Sequence, residues 1–216
     1  FYSVGGNGNN VTLKLSVNTQ DVKNIVVSRD GDTDVDAEKL YDLHVYVFAE
    51  DETLTGYANV NNDGGLLPFE NTISINTKSG PSYIYAVANI DKCSSPYSLD
   101  DNYKKRLKVT DITRNDNLTL SELLSMTFDR QYGKVGDALF SPTPTNNIFL
   151  MSGYLNDGNV VTINDDGSIS RNGSKMTEKI IKLYRTLAKN TLTIESDENA
   201  NGIFTPRYYR LCNVPI

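Results

Sequence analysis

Three stretches decide how this chain folds: residues 11–17 (VTLKLSV), 40–48 (LYDLHVYVF) and 83–90 (YIYAVANI). In the first, Val11, Leu13, Leu15 and Val17 alternate with Thr12, Lys14 and Ser16, the two-residue period of a half-buried strand. The second and third are β-branched and aromatic on both faces, as expected of strands at the centre of a sheet. Working outward, residues 54–60 read as an edge strand closed by the Asn61-Asn62-Asp63-Gly64-Gly65 turn, and 72–76 as another strand. Gly80-Pro81 is expected to be the turn before residues 83–90. Residues 22–27 form a shorter apolar stretch ahead of a polar, acidic break at 29–36.

The β rhythm stops between Tyr97 and Tyr132. Thr119 with Glu122 makes a capping box, and Leu120, Leu123, Leu124 and Phe128 recur at helical spacing, so one short helix is expected in a long insertion. Strands resume over 148–152 and 160–163, followed by a turn at Asp165-Asp166-Gly167. Residues 178–194 fit both a helix, through Ile180, Ile181, Tyr184, Leu187 and Ala188, and a strand. The β surroundings favour strand. A last strand is expected over 208–214. Some eight short strands with polar turns and one helix describe an all-β sandwich.

Composition excludes several functional classes. The 216 residues carry 21 Lys and Arg against 27 Asp and Glu, a formal charge of −6. That balance argues against nucleic acid, because the basic cluster Lys104, Lys105, Arg106 and Lys108 reads as a solvated patch. No apolar run approaches the length of a transmembrane helix. One His and two Cys rule out a four-ligand site built from those residues alone, and no metal or cofactor is expected. Cys93 and Cys212 are candidates for a disulfide in an oxidising compartment, although two cysteines so far apart give no framework signature. The chain starts on Phe1, as a trimmed mature form would. Residues 1–10 read as a flexible polar lead, and 11–216 as the folded domain of a longer protein.

Motifs for catalysis fail on context. Gly6-Asn7-Gly8 lacks the third glycine of a dinucleotide loop and precedes a strand. No G-x-S-x-G elbow occurs, and His44, the single imidazole, lies inside a strand with no nucleophile beside it in sequence, so it reads as structural. Asp30, Asp32, Asp34 and Asp36 alternate like a calcium loop. Val35 and Tyr41 stand where that loop needs Gly and Glu, which leaves an acidic solvated loop, with an irregular Ca²⁺ site as the alternative. Asn10, Asn117 and Asn172 open N-x-S/T triplets, a pattern common by chance.

Taken in order, VTLKLSV, VVSRDGD, LHVYVF, IYAVANI, FLMSG, LYRTLAKNTLTI and YYRLCNVP resemble the N-terminal domain of fimbrillins, the fimbrial subunits and anchor proteins of Bacteroides-type bacteria. The resemblance spans positions 11–215 and includes Arg185, Ala188 and Lys189. Cys212 stands where an apolar or small residue is usual. It implies a transthyretin-like β-sandwich, a second domain after residue 216, and a structural rather than enzymatic role at the cell surface, in the fimbrium. The precursor is implied to be an outer-membrane lipoprotein whose lipid anchor is its one tie to the membrane. The implied partners are other fimbrial subunits, joined by β-strand complementation, and a maturation protease. The implied cut follows Arg29, and the leaving strand is Val11, Leu13, Leu15 and Val17 with their neighbours. The alternative reading is a surface sandwich that does not polymerise and binds glycan or a host protein, with stacking surfaces drawn from its 13 Tyr and 7 Phe. The chain has no Trp, however, and most of these aromatics lie in strand runs that core packing explains.

Overall fold

The computed structural model describes residues 8–19, 40–68, 70–91, 101–126 and 150–185. They form ten strands and two short helices: β1 (Asn10–Asn18), β2 (Asp42–Ala49), β3 (Leu54–Asn61), β4 (Glu70–Lys78), β5 (Gly80–Ala88), α1 (Asp101–Leu107), α2 (Leu120–Ser125), β6 (Met151–Tyr154), β7 (Val161–Ile163), β8 (Ile169–Arg171), β9 (Ser174–Lys175) and β10 (Ile180–Arg185). The all-β class expected from the sequence is found. The sheet runs β3-β2-β5-β6-β10-β1-β4, and β7-β8-β9 branches from the start of β5. All pairings are antiparallel except β1 with β10.

The sheet is mixed and does not close into a barrel. It bends over until Gly56 of β3 lies against Thr77 of β4, where the Thr55 and Thr77 hydroxyls meet at 3.0 Å without a backbone ladder. Between the two layers lies the main core. Leu43, Val45 and Val47 of β2 and Ile84, Ala86 and Ala88 of β5 share it with the apolar faces of β1, β4, β7 and β10.

Both faces of β2 are buried, as its sequence implies. The second face packs under the helical insertion. Tyr46, Phe48 and Val87 form a smaller core with Leu107, Leu118 and Leu120. Tyr46 Oη donates to the Leu107 carbonyl at 2.6 Å and pins the end of α1 to the sheet. The expected capping box is present on α2, with Glu122 N donating to the Thr119 hydroxyl at 3.2 Å and Thr119 N donating to Glu122 Oε2 at 2.8 Å. Among its described residues the insertion holds two helices where the sequence signals one. α1 is a seven-residue helix of about two turns that buries Leu107 alone, too short to print a helical period. It carries three of the basic cluster noted above, with Lys108 just past its end, and two of the four are in ion pairs: Arg106 with Glu122, and Lys108 with Asp91.

Two other expectations change. Gly80-Pro81 opens β5 rather than forming a free turn, because Ser79 N donates to the Asn9 carbonyl and the strand begins at once opposite β7. The residues after Gly167 form the β8–β9 hairpin, whose strands of three and two residues are below the length at which alternation is visible. The first part of the ambiguous segment, Ile180–Arg185, is strand β10, with Ile181 and Leu183 in the core. Residues 22–27, 30–36, 208–214, Arg29, Cys93 and Cys212 lie outside the described residues.

His44 is 3% exposed and belongs to a buried polar cluster. Its Nδ1 lies 2.7 Å from Tyr57 Oη, and its Nε2 lies 3.3 Å from Asp42 Oδ1, off the line of a good hydrogen bond. The Asp42 carboxylate also accepts the Ile90 N–H at 2.7 Å and the Asp91 N–H at 3.2 Å, so it fixes the turn after β5. The Tyr57 hydroxyl is pushed up to about 12, chiefly by burial. The Val109 N–H pulls the other way, and the charges of Asp42 and Asp91 add to the rise. A raised folded value gives stability that is complete below about pH 10, the unfolded tyrosine value, and is lost as pH climbs toward 12. Two units are worth about 2.7 kcal/mol at most, and partial exposure of the phenol reduces that to on the order of 1–2 kcal/mol. Urea stability should therefore fall more steeply between pH 10 and 12 in the native chain than in Tyr57→Phe. Equal slopes would show that this hydroxyl ionises freely in the folded state.

Candidate functional site

The residues that the family resemblance implies for the leaving strand lie together on β1. Val11, Leu13, Leu15 and Val17 are 8%, 0%, 1% and 0% exposed and enter the main core, whereas Asn10, Thr12 and Lys14 face solvent. Burying the four side chains stabilises the sandwich by roughly 6–12 kcal/mol as an upper estimate. That is comparable with the about 5–15 kcal/mol that separates a whole domain from its unfolded state.

β1 lies inside the sheet. On one side it forms a continuous antiparallel ladder with β4 from Asn10 opposite Lys78 to Asn18 opposite Glu70. Thr12 Oγ1 adds a bond to Asn76 Oδ1 at 3.0 Å, and Asn9 N donates to Ser79 Oγ at 3.0 Å, tying down the strand's start. On the other side the parallel register with β10 covers only Ser16–Asn18 opposite Ile180–Lys182, with Ser16 N donating to Lys179 O at 2.9 Å.

Farther up that side, the turn between β7 and β8 occupies the edge of β1. Gly167 is buried with φ +73°, and a Cβ there would come within 2.5 Å of the Thr12 carbonyl oxygen. The turn is rigid. Gly167 N donates to Asn164 O at 2.9 Å, Ser168 N to Asp166 Oδ1 at 2.8 Å, and Asn164 Nδ2 to both Ser168 Oγ and Ser170 Oγ. Lys179 Nζ reaches the Gly167 carbonyl at 3.3 Å, which links this turn to the entry of β10. Gly153 serves the same end on β6, since a Cβ would strike the Lys182 carbonyl at 2.2 Å and push β6 off β10.

The exit of β1 is less well satisfied. Asn18 Oδ1 and Thr19 Oγ1 are buried with no hydrogen-bond partner, a cost of about 1–3 kcal/mol per group. The strand is thus secured along β4 and at its core-facing side chains, and carries buried unpaired oxygens at the point where the chain leaves toward Arg29.

The sequence locates the apolar face of β1 but not the Gly167 turn that holds its edge. The Asp-Asp-Gly triplet announces a turn, and nothing local says which strand it will touch. The three glycosylation-like triplets fall in different settings. Asn10 is exposed at the start of β1, Asn117 donates to the Ile112 carbonyl, and Asn172 is exposed in the β8–β9 turn at φ +48°. Among the described residues there is no group of three or more His, Cys, Asp and Glu side chains arranged to hold a metal ion.

The fold so defined is a β-sandwich with a helical insertion. No protein-family model matches the chain, and no curated protein matches it in sequence. Solved structures resemble it in shape. The tip fimbrial protein Mfa3 from Porphyromonas gingivalis aligns at 14% identity and TM-score 0.45, over 82% of this chain and 48% of that one. The fimbrial anchor protein Mfa2 from the same organism aligns at 17% identity and TM-score 0.39, over 81% and 51%. A fimbrial assembly protein from Parabacteroides distasonis aligns at 13% identity and TM-score 0.36, over 83% and 54%. The chain spans about half the length of these proteins, and identities this low carry no residue's role from one chain to another.

Leu15→Asp should lower the melting temperature by well over 10 °C or prevent folding, because it places a carboxylate in the core. An unchanged melting curve would show that β1 is not buried. Gly167→Ala should cost about 2 kcal/mol in urea denaturation through both the left-handed φ and the collision with Thr12. A loss below about 0.5 kcal/mol would mean that the turn does not hold β1.

Proposed function

We propose that this chain is a structural component of a surface fimbrium, a subunit or an anchor, that joins its neighbours by β-strand complementation and contributes to adhesion. The observation that supports it most is the seat of β1. One strand near the N-terminus supplies four core side chains from inside the sheet, is continuous with β4 on one side, and among the described residues is held at Gly167 and over Ser16–Asn18 on the other. Loss of such a strand leaves an apolar groove, with the backbone donors and acceptors of β4 unpaired along its wall. That is a template for an incoming strand of alternating apolar residues. β1 is followed by Arg29, on the proposed processing segment, so a cut there would leave the strand bound by noncovalent contacts alone.

In this reading an Arg-specific protease cuts after Arg29, β1 departs, and a strand from another subunit takes its place. The precursor carries a lipid anchor to the outer membrane, and residues 11–216 form the first domain of a longer protein. An anchor role differs only in that β1 stays in place.

The test is limited digestion of the folded protein with an Arg-specific protease, followed by intact mass and an unheated denaturing gel. A single cut after Arg29 with ladders of regular spacing is the expected result for a polymerising subunit. Arg29→Ala should fold normally and lose both the cut and the ladders. A cut chain that remains a monomer would remove strand exchange, and cutting of Arg29→Ala at an unchanged rate would place processing elsewhere.

A further inference from the structure

The outer face of the sheet carries a tyrosine in register on four successive strands. Tyr57 of β3 stands opposite Tyr46 of β2, Tyr46 opposite Tyr85 of β5, and Tyr85 opposite Tyr154 of β6. One half of this row is roofed by the insertion: Tyr46 is fully buried beneath Leu107, and Tyr57 packs in the same cluster. The other half is open. Tyr154 is 43% exposed, and Tyr184 on β10, diagonal to it across the β6–β10 register, is 48% exposed. Tyr85 and Tyr154 meet edge to face, with centroids 6.1 Å apart and planes at 67°, so the two rings make a corner.

The corner opens into a hollow of about 480 Å³ between β5, β6 and the end of α2. Such a volume is in the range that holds a small molecule or a few linked rings. Leu123 and Leu124 form one wall, while Ser152 and Asp157 stand on the tyrosine side. Ser152 is exposed directly opposite Tyr184 in the register, and Asp157 projects from the turn that follows β6.

We propose that this face binds an oligosaccharide, with Tyr154 and Tyr184 stacking on pyranose rings and Ser152 and Asp157 hydrogen-bonding the hydroxyls. A pyranose presents an apolar C–H face rimmed by hydroxyls. It needs an aromatic ring with both donors and acceptors beside it, and each exposed tyrosine here has a polar neighbour of that kind. A purely apolar partner would be better served by aliphatic side chains throughout. Leu124 supplies one from α2, but the strands present Tyr154 and Tyr184 as their exposed large hydrophobics, with the exposed Lys182 directly opposite Tyr154. The rings stand on hydrogen-bonded strands rather than on loops, so little side-chain or backbone freedom is lost on binding. The site does not use β1 or its groove, and the proposal stands apart from strand exchange.

The test uses the uncut folded chain, titrated with the trisaccharides of glucose, mannose, galactose and N-acetylglucosamine. Saturation-transfer NMR detects binding and calorimetry measures it. At least one trisaccharide should bind saturably. Tyr154→Ala and Tyr184→Ala should each weaken it by about tenfold, the loss of one ring contact. Both side chains are exposed, so the variants should keep the native melting temperature, and Tyr154→Phe should retain most of the affinity. No saturable binding of any of the four at millimolar concentration overturns the proposal. So does binding that is unchanged in the Tyr154→Ala, Tyr184→Ala double variant. If the tyrosines instead prove necessary only for capture of a protein, the saccharide assignment is likewise overturned.

Discussion

The seating of β1 between β4 and β10 is the constraint on which the rest of the sandwich depends. Leu13, Leu15 and Val17 reach almost complete burial because the strand lies inside the sheet, with the opposite layer of β2 and β5 closing over them. Remove that strand and β4 loses its one ladder partner among the described residues, since its contact with β3 is made through Gly56 and threonine side chains rather than through backbone bonds. The main core and the closure of the sheet are therefore one problem. A segment whose four apolar side chains are worth a large part of a domain's stability is worth as much when another chain supplies it.

A second, smaller core extends the sheet outward. Tyr46 and Asp42 on β2 each serve two ends. Tyr46 stacks on the outer face and holds the α1 carbonyl end, while Asp42 accepts backbone N–H groups after β5 and lies beside His44. Burial holds the Tyr46 hydroxyl well above the usual tyrosine value, as expected of a phenol that donates to a carbonyl and never meets bulk water. Polar groups in this region thus fix where the insertion sits, and the insertion decides which tyrosines of the outer row are hidden and which remain available.

Much of this fold was legible in the residue pattern. The alternation of Val11 to Val17 and the two-sided apolar runs at 40–48 and 83–90 state their own burial, because successive side chains of a strand map directly onto its two faces. The Thr119–Glu122 capping box placed α2 for a similarly local reason. α1 and the β8–β9 hairpin escaped, since each is shorter than the window over which a period can be seen. The candidate site divides the same way: its apolar face was readable, and the turn that holds its edge was not.

By itself, then, the sequence determined strand identity, the inward face of β1, the central position of β2 and β5, and a structural place for His44 within a strand. Only the tertiary structure decided that β1 pairs parallel with β10 over its last three residues, that Gly167 rests on Thr12, and that four tyrosines from distant segments align in one row. The reason is physical. Burial and turn preferences act over neighbouring residues and leave a periodic trace, whereas register between strands as far apart in the chain as β1 and β10 is set by the whole core packing at once and leaves none in any one segment.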